Sequence, residues 1–248
     1  EYEAVFVHMI PLYVIIGAPI WRLLRKRIGF WYAHGAVSWQ LRVGVWLSHQ
    51  VFTSTAEGLR VSTEKKRIVG QGIDTELFSP KARVQSNSLT LITVGRISRS
   101  KNIATLLRAC ARLQKEGIAF RFQIIGTATT ESERQYEKEV RQLAKELDLI
   151  KVVEWVGPVP QALLPQHLQS ADIFIHDGAT NSLDKTLLEA VLCGCTVISS
   201  NPAFRSIGKQ QLPPELLYTP SNHYALYEGV RWILQNTKEA RESTDSLR

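Results

Sequence analysis

The residues most able to do chemistry in this chain lie in a few glycine-marked loops and on one short helix. Gly95-Arg96-Ile97-Ser98-Arg99-Ser100-Lys101 crowds three cations into a single strand-to-helix connection. Arg96 can grip phosphate oxygens in bidentate fashion and Lys101 can act as a point charge, each charge-assisted bond contributing roughly 1.5–3 kcal/mol. A second turn falls at Gly126. The stretch from Thr180 to Ser200, TNSLDKTLLEAVLCGCTVISS, reads as loop, helix, glycine stop and buried strand.

With Asp184 to Gly194 taken as a helix, Leu187, Leu188, Val191 and Leu192 form an apolar stripe, and Lys185 and Glu189 fall one turn apart on the other side, facing away from the core. A lysine preceding its glutamate is the poorer order for an ion pair, and a cation at a helix start opposes the dipole. An anion on the free N–H groups of that helix start would relieve both problems, leaving Glu189 to accept from hydroxyls. A solvated Lys185–Glu189 pair is the competing reading.

A histidine, His34, ends the strand candidate Ile28 to His34, and open α/β sheets bind ligands at the carboxyl edge of such strands. A buried structural histidine is the alternative there. These loops need a scaffold that brings strand ends together. Apolar strand candidates alternate with amphipathic helices along the chain, which predicts parallel sheets covered by helices on both faces.

The first half offers strand Ala4 to Met9, helix Pro11 to Arg27, strand Ile28 to His34, helix Val37 to Leu47, strand Gln50 to Thr55 and a short strand at Ile68. The polar run SPKARVQSNS gives a linker at 81–88 between a first domain, 1–80, and a second, 89–248. The second opens with strand Leu89 to Val94 and a helix whose Ile103, Leu106, Leu107, Cys110 and Leu113 repeat at three and four. Strand Phe120 to Ile125, a charge-rich helix, strand Val152 to Val156, a helix from Gln161 to Ser170 and strand Asp172 to His176 follow. A last helix spans about Tyr224 to Asn236, and the polar tail from Lys238 is expected to fray.

The 248 residues, 44% of them hydrophobic, can bury a large core, which excludes disorder. A net charge of +7 favours anionic partners: a nucleotide diphosphate, an acidic membrane or nucleic acid. Nucleic acid is disfavoured because the cations spread over many helices without a binding motif. Cys110, Cys193 and Cys195 lack a zinc-ligand pattern and read as buried thiols in a reducing compartment. The apolar run from Ala4 to Trp21 contains His8, Pro11, Gly17 and Pro19 and divides into strand and helix, which argues against a membrane span. Arg22, Arg25, Lys26 and Arg27 beside aromatic and aliphatic residues suit an anionic lipid surface, or else complement their own helix dipole.

Taken together, these segments resemble the retaining glycosyltransferases of the GT-B fold, family 4. Gly95-Arg96 with Lys101 looks like the GR-x4-K loop, Ile124-Ile125-Gly126 like the next glycine turn, and Leu187-Leu188-Glu189-Ala190 with Gly194 like the LEA-x3-G helix. Tyr32 to Gly35 looks like the histidine-containing strand end, and Gly72-Ile73-Asp74 with Phe78 and Pro80 like the segment NG-hydrophobic-D-x3-F-x-P. The resemblance implies two Rossmann-like domains, the first incomplete here, with strands before Glu1 and a helix beyond Arg248.

It also implies roles. Arg96 and Lys101 would clamp the donor diphosphate beside Gly95 and Gly126, Glu189 would accept from the ribose, His34 would lie beside the donor sugar or the reacting centre, and Gly157-Pro158 would lie near the base. Backbone N–H groups from Leu183 through Asp184, Lys185 and Thr186 would meet sugar and phosphate. Asn181 stands where the family places a glutamate, Ser182-Leu183-Asp184 replaces its G-F-G run, and Gln71 replaces an asparagine. Asparagine can still hydrogen-bond a sugar hydroxyl but supplies no charge.

The expectation is therefore a metal-independent glycosyltransferase with no cofactor, moving a sugar from a nucleotide sugar to a glycan or lipid-linked acceptor of cell-envelope type. It would work in the cytoplasm, peripheral to the inner face of the membrane. A catalytically reduced nucleotide-sugar binding module is the alternative.

Overall fold

The computed structural model describes residues 2–81, 88–178, 182–208 and 211–248. By packing the chain falls into two compact units, Glu1–Gly72 with Thr180–Leu183, and Ile73–Ala179 with Asp184–Arg248. The segment 73–80 thus packs with the second unit. Most of the expected linker, and Asn181, lie outside the described residues.

The first unit holds a parallel sheet of β1 (Ala4–His8), β2 (Arg27–Trp31), β3 (Gln50–Thr53) and β4 (Lys66–Ile68), in that spatial order. Helices α1 (Pro11–Leu23) and α2 (Trp39–Leu47) are the crossovers that parallel pairing demands. Val14 and Ala18 of α1 and Leu41 and Val45 of α2 pack with Ile28, Phe30 and Val51 of the sheet. Lys65 closes the end of α2, its ammonium donating to the carbonyls of Trp46 and Ser48 at 2.8 Å each.

Two boundaries differ from expectation. The helix expected through Arg27 stops at Leu23, because Arg25 takes a φ of +52° and turns the chain into β2. The strand expected to carry His34 ends at Trp31, so His34 belongs to the following loop. It is exposed, which removes the buried structural alternative.

In the second unit five parallel strands take the order β7 (Val153–Gly157), β6 (Phe120–Ile125), β5 (Leu89–Val94), β8 (Ile173–His176), β9 (Thr196–Ser199). Chain direction across the sheet reverses beside β5: β6 and β7 are added on one side, β8 and β9 on the other. Loops leaving β5 and β8 therefore diverge at the carboxyl edge, the place where open α/β sheets take their ligands.

Helices α3 (Ile103–Lys115), α4 (Glu131–Glu146), α5 (Leu164–Ser170), α6 (Lys185–Leu192), α7 (Pro202–Gly208), α8 (His223–Gln235) and α9 (Thr237–Asp245) accompany the strands. The core is continuous and apolar, with Leu91, Ile92, Phe122, Phe174, Val197 and Phe204 fully buried. The three cysteines are buried, as expected.

The tail expected to fray is instead α9, whose Ala240 is fully enclosed, and Arg248 Nε donates to the Val191 carbonyl of α6 at 3.0 Å. Its polar sequence hides a small buried stripe, Ala240 and Thr244, spaced one turn apart. Helix α7, between Asn201-Pro202 and Gly208, escaped the sequence reading because it is only 7 residues long.

Candidate functional site

The expected donor residues gather at the carboxyl edge of β5, β6 and β7. Main-chain bonds continue past the strand ends, from Gly95 N to Ile125 O at 2.9 Å and from Gly126 N to Gly157 O at 2.8 Å. This holds three turns side by side. Gly126 has a φ of +133°, and a Cβ there would collide with the Gly95 carbonyl, so only glycine lets the two turns approach. Above them Gly95, Arg96, Gly126 and Pro158, with Val94, Ile125 and Val159, line an open cavity of about 240 Å³. Its lining is mainly apolar, a setting for a flat ring.

Arg96 stands at the cavity mouth with its side chain 63% exposed, and its Nη1 donates to Glu133 Oε1 at 2.9 Å. Glu133 is the third residue of α4 and closes a capping box with Thr130. Hydrogen bonds from the Thr129 hydroxyl and backbone hold its carboxyl down at about 2, so it is a fixed anion. The Thr-x-x-Glu spacing was a signal for Glu133 that the sequence reading passed over.

Lys101 ends a 3-10 turn, Arg99–Lys101, and Asn102 then takes a φ of +42° to start α3. The lysine stem folds back over Gly95, where a Cβ would come within 3.0 Å of Cε. Burial first, and the Arg96 cation second, push its ammonium down to about 8. At about 8 it still carries its proton near neutrality, and the Asp184 carboxylate lies directly against it.

Asp184 is the N-cap of α6, its Oδ1 accepting from Thr186 N at 3.3 Å and from the Thr186 hydroxyl at 3.0 Å. Its Oδ2 receives Lys101 and also His176 Nε2 at 3.2 Å. His176 ends β8 and is fully buried; burial, then the Lys101 charge, holds its imidazole at about 3, so it is neutral. Its Nδ1 faces Ser199 Oγ at 3.2 Å.

The next residue, Asp177, is buried as well. It accepts from Ser200 Oγ at 2.6 Å, Asn102 Nδ2 at 3.0 Å and Ser221 N at 3.0 Å, tying the loops after β5, β8 and β9 together. Sequence reasoning did not single out His176 or Asp177. Their position at the carboxyl end of a buried parallel strand was the available signal.

Other expected residues lie elsewhere. Lys185 is exposed at the first position of α6. Glu189, expected to face away from the core, is buried at 5% exposure; burial raises its carboxyl while Lys185 opposes the rise. The stripe rule failed there because α6 packs against α5 and α9 as well as against β8 and β9, so more than one of its faces is covered. His34, Ser182 and Leu183 belong to the first unit, where His34 Nδ1 accepts from Ala36 N at 3.3 Å and Ser182 Oγ donates to the Ala33 carbonyl at 2.7 Å. No described helix is long and apolar enough to cross a membrane. Arg22 of the basic cluster donates to the Leu47 carbonyl at 2.9 Å and lies 5.8 Å from the Trp46 ring centre.

The colanic acid biosynthesis glycosyltransferase WcaL of Escherichia coli K12, itself described as putative, is 29% identical over 144 residues, which are 55% of this chain and 34% of that protein. The amylovoran biosynthesis glycosyltransferase AmsK of Erwinia amylovora is also 29% identical, with the same shares covered. This chain therefore spans about a third of the length of these curated relatives.

Among solved structures, Anabaena HepE in complex with UDP superposes with a TM-score of 0.82 at 17% identity, over 98% of this chain and 72% of that one. Sucrose-phosphate synthase from Thermosynechococcus elongatus gives 0.80 at 18% identity, over 99% and 68%. These likenesses establish a GT-B glycosyltransferase fold. Residues 74–246, spanning the cavity, Lys101 and α6, match the sequence model of the glycosyl transferases group 1, and the chain belongs to that family.

Proposed function

We propose that the second unit binds the nucleoside diphosphate of a sugar donor and that the protein is a retaining glycosyltransferase. One observation carries this reading: Gly95, Arg96, Gly126 and Pro158 line one cavity, while Lys101 and the start of α6 meet at the neighbouring switch point of the same sheet. The apolar slot suits a nucleobase, and the cations suit two phosphates. Glu189 is the proposed ribose acceptor, and Asn181 is proposed to hydrogen-bond the sugar.

Charge accumulates on the leaving diphosphate as the glycosidic bond breaks. Arg96, Lys101 and the N–H groups at the start of α6 lie along one edge and, once the bound diphosphate has engaged them, stabilise that charge without further reorganisation, and this is proposed to need no metal. The acceptor hydroxyl then attacks on the face the nucleotide leaves, and the leaving phosphate takes its proton. His34 is proposed to act at this step, so His34→Ala lowers kcat and leaves donor affinity unchanged.

The relatives' names support an envelope acceptor. Two are glycosyltransferases of colanic acid and amylovoran biosynthesis, and a Campylobacter jejuni protein, 24% identical over 73% of this chain and 48% of its own length, is named as a transferase acting on a diphospho-undecaprenol-linked sugar. A lipid-linked acceptor fits the cluster of Arg22, Arg25, Lys26 and Arg27, which we assign to an anionic membrane surface.

Thermal unfolding with UDP-, GDP- and ADP-sugars tests the donor assignment. A donor at 100 times its dissociation constant adds about 2.7 kcal/mol. Glu189→Ala and Lys101→Ala reduce that response, and no response to any donor overturns the reading. Binding without hydrolysis or transfer in the full-length protein replaces the enzyme by a binding module.

A further inference from the structure

An aspartate that caps a helix needs one oxygen to do so. In Asp184 that oxygen is Oδ1, which accepts from Thr186 N and the Thr186 hydroxyl. The second oxygen is not required by the cap, yet it receives Lys101 and His176. One carboxylate therefore engages both anion-binding devices of this edge, the lysine and a free N–H at the start of α6.

The support behind Asp184 has a definite polarity. The Asp184 carboxylate can only accept, so a neutral His176 carries its hydrogen on Nε2 and donates it there. Nδ1 is then left to accept from the Ser199 hydroxyl, which itself accepts from Asn201 N at 3.0 Å. His176 is neutral and buried, so it holds the carboxylate without supplying a countercharge. Lys101 is then the cation that balances Asp184, and Arg96 already has Glu133.

We propose that Asp184 is an internal competitor for the donor diphosphate, occupying Lys101 and the Thr186 N–H until a phosphate displaces it. This rests on the donor reading above and adds an exchange step to it. Where glycines would leave the lysine and the helix start open, this chain carries its own anion. The consequence is a weaker hold on the donor and on the nucleoside diphosphate product, and so faster product release. Two anions cannot share one lysine without mutual repulsion, so removing the carboxylate's charge strengthens binding.

The test is calorimetric titration of UDP and of inorganic pyrophosphate into the wild type, Asp184→Asn, Lys101→Ala and the double variant. Asparagine keeps a capping oxygen and nearly the same shape. The expected result is about tenfold tighter binding of both ligands by Asp184→Asn, equivalent to about 1.4 kcal/mol, and most of that gain vanishing in the Lys101→Ala background. Asp184→Ser, which also caps without charge, shows the same gain and covers the case in which the asparagine variant unfolds. Wild type that binds UDP together with neutral variants that bind equally or more weakly overturns the exchange and makes Asp184 a fixed support for Lys101. If none of these proteins binds UDP or pyrophosphate, and the wild type binds neither GDP nor ADP, the donor reading falls and the exchange with it.

Discussion

Glu133 accepts from Arg96 at 2.9 Å with one oxygen, and with the other from Thr129 N at 2.8 Å and the Thr129 hydroxyl at 2.6 Å. The cation proposed for phosphate is thus moored to the first turn of α4. A carboxyl held at about 2 against an ordinary 4.5 contributes stability that is present above 4.5 and is lost as pH falls toward 2. Glu133→Gln is expected to be less stable than wild type at neutral pH, with the difference shrinking through that acid window. Urea unfolding at several pH values checks it; a pH-independent difference would contradict the assignment.

Gly126→Ala tests the packing of the turns. Its Cβ has to push the Gly95 carbonyl aside at a φ that L residues avoid, a strain of about 1–3 kcal/mol. Lower denaturation midpoint and weakened UDP binding are expected together. By contrast Gly117→Ala, at a φ of +77° with open space around it, is expected to lose stability alone.

Donor affinity is expected to depend on pH through Lys101, which faces Arg96, Asp184 and His176. With the ammonium at about 8, affinity for UDP is full below that value and falls as pH rises through it. Titrations between pH 6.5 and 9.5 read the inflection, and Lys101→Ala removes it while weakening binding at pH 7 by roughly 1.5–3 kcal/mol.

His176 contributes a second pH dependence, in stability. Its folded value of about 3 lies below the ordinary 6.5, so the unfolded chain binds the extra proton across that window. Stability is complete above 6.5 and declines as pH falls, by about 2 kcal/mol between pH 7 and pH 5 from this group. His176→Gln flattens the slope, and equal slopes in denaturant unfolding would show that His176 takes up no proton on unfolding.

Much of the second unit was legible before any coordinates. Strands Leu89–Val94 and Phe120–Ile125 end where expected, because buried parallel strands are unbroken apolar runs closed by glycine. The Arg96–Lys101 loop, the Gly126 turn and the α6 start were also read as one anion site. Less legible were short or polar elements: α7 has only 7 residues, and the polar α9 is held by packing against β9 and α6 rather than marked by periodicity.

By itself the sequence determined the alternation of strand and helix, the family, and which loops carry cations, since hydrophobic period and glycine placement are local properties. Only the tertiary structure decided how those charges are matched. Lys101 meets Asp184 across 83 residues and Arg96 meets Glu133 across 37, pairings set by strand order β7-β6-β5-β8-β9 and not by spacing along the chain. The burial of Glu189 and the neutrality of His176 were decided there too, because desolvation depends on what other segments cover.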